Sequence, residues 1–217
     1  MQKDAQLTRR TLVKGAATFG ASALVVGQLC KPPNALAQDD AAIDTKTEEN
    51  EQYGFLVKVK NCIDCGECVK ACRLWSRTPD SREARREVHA YKSELGKEYF
   101  VSTSCMHCSV PSCAGVCPAG AISKGKGGIV VVDQERCIGC KYCYQACPFG
   151  VPHYNSKGMD KCDYCLGNDV ALGERPRCVR ACKVGALHFG KVKNLVADTK
   201  GKAQQVISPT GPSYYFI

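Results

Sequence analysis

Sixteen of the seventeen cysteines in this 217-residue chain fall into four groups of four. Cys62, Cys65, Cys68 and Cys72 are spaced C-x2-C-x2-C-x3-C, and Cys137, Cys140, Cys143 and Cys147 repeat that spacing and end in Cys-Pro. Between them stand Cys105, Cys108, Cys113 and Cys117, with four residues in the middle gap. Cys162, Cys165, Cys178 and Cys182 close the set, with twelve. One Trp and six Phe leave few large apolar side chains for a core. Small domains short of apolar bulk are usually stapled, and metal–thiolate bonds can supply folding energy directly. The chain therefore has to fold around whatever its thiols bind. Without that group it is expected to be largely unfolded.

Three kinds of staple compete. Dense cysteine in a small exported chain often means disulfides, but thiols so close within one turn pair poorly with each other. Zinc commonly takes two separated C-x2-C pairs, and the last group alone fits zinc as well as iron–sulfur. The first and third groups differ. Three thiolates within seven residues form a cup for three corners of one cubane, and C-x2-C-x2-C-x3-C-P is the spacing that wraps [4Fe–4S] clusters in bacterial ferredoxins. Iron–sulfur is the reading preferred for all sixteen.

The first 37 residues read as a signal peptide. Arg9-Arg10 precede an apolar run from Gly15 to Leu29, and Ala35-Leu36-Ala37 make a small-x-small cleavage site before Gln38. Paired arginines point to the twin-arginine route. A fifteen-residue run is short for a membrane span, and no later segment is apolar enough to be one. Cys30, the unpaired cysteine, would leave with the signal, since Leu29 before it is bulkier than a lipidation site favours. Clusters are built in a reducing cytoplasm, so export of a folded, loaded chain to the periplasm or the outer face of the cytoplasmic membrane fits both features.

Charge follows from the same division. The whole chain is formally +9, and residues 38–217 carry 25 Lys and Arg against 20 Asp and Glu. Four oxidised cubanes at roughly −2 each would bring that part to about −3. The basic balance thus argues against nucleic acid and for compensation of buried negative groups.

Residues 38–52 read as a flexible acidic lead and 198–217 as a polar tail whose apolar tip is either a lid on the core or a contact for another subunit. Strands are expected at 54–60, 99–102, 129–133 and 185–190, and short helices at 68–74 and 143–147. The charged stretch 73–97, with Arg77, Arg82, Arg85 and Arg86, reads as a surface excursion, either solvated or docked on a partner. His107 reads as structural rather than as an iron ligand. Trp75, Tyr142 and Tyr144 read as core packing near the clusters. No phosphate loop, nucleophile–base pair or carboxylate dyad is present, so the chain reads as non-catalytic.

The motifs Tyr53-Gly54-Phe55, Cys105-Met106-His107-Cys108, Cys113-Ala114-Gly115-Val116-Cys117-Pro118, Cys137-Ile138-Gly139-Cys140-Lys141-Tyr142-Cys143 and Cys147-Pro148-Phe149-Gly150 resemble the four-cluster electron-transfer subunit of the dimethyl sulfoxide reductase family of molybdenum enzymes, over residues 53–192. That resemblance implies an α+β fold of two ferredoxin-like dicluster modules, one inserted in the other, with 53–98 and 161–197 as the outer module and 99–160 as the insert. It also implies crossed ligation. Cys62, Cys65 and Cys68 would share a cluster with Cys182, and Cys162, Cys165 and Cys178 with Cys72. Cys105, Cys108 and Cys113 would share one with Cys147, and Cys137, Cys140 and Cys143 with Cys117.

Some members of the family hold a three-iron cluster where an aromatic residue replaces one inner-group cysteine. Cys140 is present here, which implies four [4Fe–4S] clusters. The function implied is a relay between a membrane quinol-oxidising or cytochrome subunit and a molybdopterin catalytic subunit of an anaerobic respiratory reductase. A free-standing exported polyferredoxin or maturation protein is the alternative. Two features depart from the family: a signal of the chain's own, and Lys183 where proline commonly follows the last cysteine. A cation at Lys183 would favour the reduced state of the nearest cluster.

Overall fold

Cysteine loops without regular structure need short rigid elements to hold their ends, and the chain supplies many of them. The computed structural model describes residues 51–166 and 170–217. The signal segment, Cys30 and the acidic lead as far as residue 50 lie outside the described residues.

Tyr53–Val57 forms strand β1, buried at every position. A 3-10 turn and the first cysteine loop follow, and then helix α1, Glu67–Ser76. Strands β2 (Arg86–Lys92) and β3 (Glu98–Ser104) make an antiparallel hairpin in seven-residue register. Helix α2 (Ser112–Gly115), strand β4 (Ile122–Lys124), strand β5 (Val130–Val132) and helix α3 (Tyr142–Ala146) come next, with β4 antiparallel to β5. A small hairpin of β6 (His153–Asn155) and β7 (Gly158–Asp160) leads to helix α4 (Arg177–Arg180), strand β8 (Leu187–Lys191) and helix α5 (Val192–Ala197). Strands β9 (Gln204–Gln205) and β10 (Tyr214–Phe216) end the chain.

The pairing is nested. β1 pairs antiparallel with β8, 130 residues downstream, and α1 packs on α4. Inside that span β4 pairs with β5 and α2 packs on α3. Each half is thus built on an antiparallel strand pair with two helices, the outer pair being part of a four-stranded sheet of order β8-β1-β10-β9, in an α+β fold of two ferredoxin-like units. Local repeats mark the relation. Cys117-Pro118-Ala119-Gly120-Ala121 and Cys182-Lys183-Val184-Gly185-Ala186 both turn at a glycine of positive φ. In both, the N–H of the closing alanine donates to the Sγ of the leading cysteine, at 3.3 and 3.2 Å.

Several of these readings are resolved or corrected. The stretch 73–97 is a solvated excursion only in part: it contains β2, whose first residue Arg86 is fully buried, while residues 89–92 and 94–97 are exposed. Arg82 and Arg85 both pair with the buried Asp160 carboxylate, at 2.9 and 2.6 Å, and Arg85 also reaches Asp163. Tail residues Tyr214–Phe216 add a strand parallel to β1, and Tyr214 is wholly buried, so the apolar tip belongs to the core. Tyr142 and Tyr144 are exposed rather than packed. Trp75 is half-buried with the Arg177 guanidinium 4.7 Å over its ring. Gln52, at the end of the expected lead, is anchored by its amide to the Gly128 carbonyl at 3.1 Å.

Among the described residues no helix is long and apolar enough to cross a membrane.

Candidate metal centres

A C-x2-C-x2-C loop can present three thiols inward only if its backbone turns left-handed between them, and here it does. Asp64 and Gly66 have φ of 55° and 70°, and their counterparts in the third group, Gly139 and Lys141, have 67° and 69°. Non-glycine residues in that region are uncommon and mark a functional constraint. Each loop then runs straight into a helix, α1 or α3, which carries the third cysteine of its group.

These loops build two cavities. One is lined by Cys62, Cys65, Cys68 and Cys182, walled by Ser102, Val184 and Leu187. The other is lined by Cys117, Cys137, Cys140 and Cys143, walled by Ile122, Tyr154 and Met159. Each therefore gathers three cysteines of one group and the last of another. The remaining eight also gather by distant partners. Cys72 feels the Cys162, Cys178 and Cys165 thiols, and Cys113 feels Cys105, Cys147 and Cys108. Every one of the sixteen is a free thiol, so no disulfide staples the described residues.

Burial makes these poor sites for bare thiolates. It pushes the Cys113 and Cys165 thiols up to about 12 and Cys178 up to about 11, with neighbouring thiols adding to the rise. Cys72 is raised further by burial and then by Cys162. Several thiolates together need a cation among them, and its arrival expels their protons. Donors are in place for such charge: Met159 N–H donates to Cys137 Sγ at 3.3 Å, and the Ser102 and Tyr154 hydroxyls lie 3.4 and 3.1 Å from Cys68 and Cys143 Sγ. Among the described residues no three His, Cys, Asp or Glu side chains are placed to hold a single metal ion. The quartets line spaces rather than points, and all-thiol quartets of this kind fit a cubane cluster.

The four quartets are neighbours in succession. Cys178 lies within electrostatic reach of Cys68, and Cys162 within reach of Cys105. Cys113 shares an apolar cluster with Cys117, Cys137 and Cys143. The two end quartets carry the exposed cysteines, Cys65 and Cys140, while Cys72, Cys162, Cys165 and Cys178 are all buried.

His107 is placed as a prop. Fully buried, it accepts the Val130 N–H at Nδ1 (3.0 Å) and lies tilted against the Tyr164 ring with centroids 3.8 Å apart. Burial, and then the Lys161 charge, holds its pKa well below the usual range, so the ring stays neutral. Sequence reasoning missed Gly158, where a Cβ would stand 2.7 Å from Cys137 Sγ at a φ of 121°. It also missed two buried cations, Arg86 and Lys161. Nothing in a local motif separates such an arginine from a surface one.

Comparisons with known proteins agree with this geometry. Two family models, each described as a 4Fe-4S dicluster domain, match residues 61–121 and 97–192. The B subunit of the anaerobic dimethyl sulfoxide reductase of Escherichia coli K12 is 41% identical over 157 residues, 66% of this chain and 76% of that subunit. Its Haemophilus influenzae counterpart is 37% identical over 176 residues, 75% of this chain and 84% of that one. The thiosulfate reductase electron transfer subunit PhsB of Salmonella typhi is 39% identical over 147 residues, 65% of this chain and 77% of that one. The chain belongs to the family of iron–sulfur electron-transfer subunits of anaerobic dimethyl sulfoxide and thiosulfate reductases.

Proposed function

We propose that this chain is a non-catalytic relay holding four [4Fe–4S] clusters, ligated by Cys62, Cys65, Cys68 and Cys182; Cys72, Cys162, Cys165 and Cys178; Cys105, Cys108, Cys113 and Cys147; and Cys117, Cys137, Cys140 and Cys143. The observation that carries the reading is the cavity at which Cys182 joins three cysteines more than a hundred residues earlier. A cluster bound in each quartet supplies reversible one-electron transfer. The protein's part is to fix the quartets as successive neighbours, to bury the quartet of Cys72, Cys162, Cys165 and Cys178, and to leave an accessible cysteine at either end. Backbone N–H and hydroxyl donors aimed at Cys137, Cys182, Cys117, Cys68 and Cys143 favour the more negative, reduced state.

The exposed end quartets fit docking to two partners, a molybdopterin catalytic subunit and a quinol-linked membrane subunit or cytochrome. The first 37 residues would direct export by the twin-arginine route, to the periplasm or the outer face of the cytoplasmic membrane. Two measurements test this. Loaded chain purified without oxygen should contain about sixteen iron and sixteen sulfide per chain, and tagged chain should copurify with a molybdenum-containing subunit. Full iron content in a chain that copurifies with no such subunit would favour a free-standing polyferredoxin. Zinc in place of iron would end the relay reading.

A further inference from the structure

Arg86 is the most deeply buried charge among the described residues, with 1% of its surface exposed. Isolated buried cations are costly, and arginine does not escape by deprotonating. Its burial therefore needs a partner, and among the described residues no carboxylate supplies one. The guanidinium is held by neutral groups. Nη1 donates to Ser102 Oγ and to Tyr214 Oη, both at 3.0 Å, and Nη2 donates to Ser104 Oγ at 2.9 Å. Its carbon lies 4.4 Å above the Phe55 ring. Tyr214 in turn donates to the Ser102 carbonyl at 2.7 Å, which fixes its oxygen as the acceptor for Arg86. The cradle thus sets where the charge sits without neutralising it.

The negative groups that share this core are thiols. Cys162 and Cys178 belong to the same buried cluster as Phe55 and Tyr214, the two rings against which the guanidinium lies, and they are the cysteines that act on its charge. Both belong to the quartet of Cys72, Cys162, Cys165 and Cys178. Ser102 extends the same network: having accepted from Arg86, its hydroxyl is left to donate to Cys68 Sγ, 3.4 Å away in the neighbouring quartet. Lys161 also stands beside this quartet, its Nζ donating to the carbonyls of Val130 and Cys162, but its charge acts on Cys105 and Cys113 of the next quartet. Lys183 is exposed, where water and salt screen it.

Resting on the cluster reading above, we propose that Arg86 is the internal counter-cation of the cluster held by Cys72, Cys162, Cys165 and Cys178, and that it raises that cluster's reduction potential. Each added electron makes the cluster more negative, and a fixed cation in a low-dielectric interior stabilises that state more than the oxidised one. The cluster balances a buried cation, and the cation favours the reduced cluster.

The test is a redox titration, followed by electron paramagnetic resonance, of the loaded full-length chain as wild type, Arg86→Gln and Arg86→Lys. Arg86→Gln should lower the equilibrium constant for reduction of one cluster at least tenfold, which is about 59 mV for a one-electron couple. The shifted signal should be the one that Cys178→Ala removes. Its neighbour bearing Cys68 should move less, and the far quartet of Cys117 should not move. Arg86→Lys should restore most of the shift. Four loaded clusters with unmoved potentials, or all four moved alike, would overturn the assignment. If Arg86→Gln fails to load, Arg86→Lys decides. Loading regained with an ammonium supports the charge role, and loading lost in both variants shows a guanidinium-shaped structural post instead. Wild-type chain lacking four clusters' worth of iron and sulfide would refute the cluster reading itself, a separate outcome.

Discussion

Asp160 shows how a single side chain can organise this molecule. Its carboxylate lies at the end of β7, 5% exposed, and takes Arg82 and Arg85 from a stretch nearly eighty residues earlier. Removing one partner of such a pair strands the others' charges. Asp160→Ala should therefore cost about 3 kcal/mol in the denaturation of the loaded protein, the lower end for broken buried pairs because both arginines keep some solvent. Gly158, two residues before, acts by absence. An added Cβ has no room against Cys137 Sγ, and the φ of 121° disfavours any side chain. Gly158→Ala should lower iron content by about one cluster's share, with the Cys137 quartet the one lost; full loading would show that the loop yields. The grouping of the sixteen thiols was legible because cysteine spacing is local. The burial of Arg82, Arg85 and Arg86 was not, since charged side chains default to the surface and only the Asp160 pair and the Tyr214 cradle, both distant in sequence, bring these inside.

At the scale of elements, what counts is how far apart in the chain the pairing partners lie. Most strands and helices have six residues or fewer, and none would stand alone. β1 is held on one edge by β8 and on the other by β10, at the very end of the chain. Tyr214 in β10 reaches Arg86 in β2 and the Ser102 carbonyl in β3, so the last strand latches the hairpin that walls the Cys182 cavity. Tyr214→Phe should cost about 1–3 kcal/mol, the usual penalty for leaving buried polar partners unmet. Deleting residues 213–217 should prevent stable loading altogether. If the truncated chain loads and melts as the full chain does, the latch is not structural. The expected strands and helices lay close to their observed positions because alternation and cysteine loops fix them locally. The tail strand was ambiguous because Tyr214–Phe216 is equally apolar whether it caps its own core or meets another subunit.

The whole molecule is a thin apolar framework around thiols. Its larger core cluster counts Cys68, Cys105, Cys162 and Cys178 among its buried members, so the residues that would bind metal are also core residues. Stripping iron anaerobically with a chelator should thus abolish the cooperative melting transition, and a cluster-free chain that melts sharply would show a core able to stand without staples. The nested arrangement was legible only through the family resemblance. Spacing alone left the four groups as four local sites, and the crossing depends on α1 meeting α4 and α2 meeting α3. That crossing is the central claim, and additivity of cysteine losses tests it directly. In Cys65→Ala, Cys182→Ala and the double variant, iron should fall from about sixteen to about twelve per chain in all three, because both residues would serve one cluster. Cys178→Ala with Cys182→Ala should fall to about eight, although those two cysteines are neighbours in sequence. The reverse pattern, additive loss for Cys65 with Cys182 and a single shared loss for Cys178 with Cys182, would contradict the account.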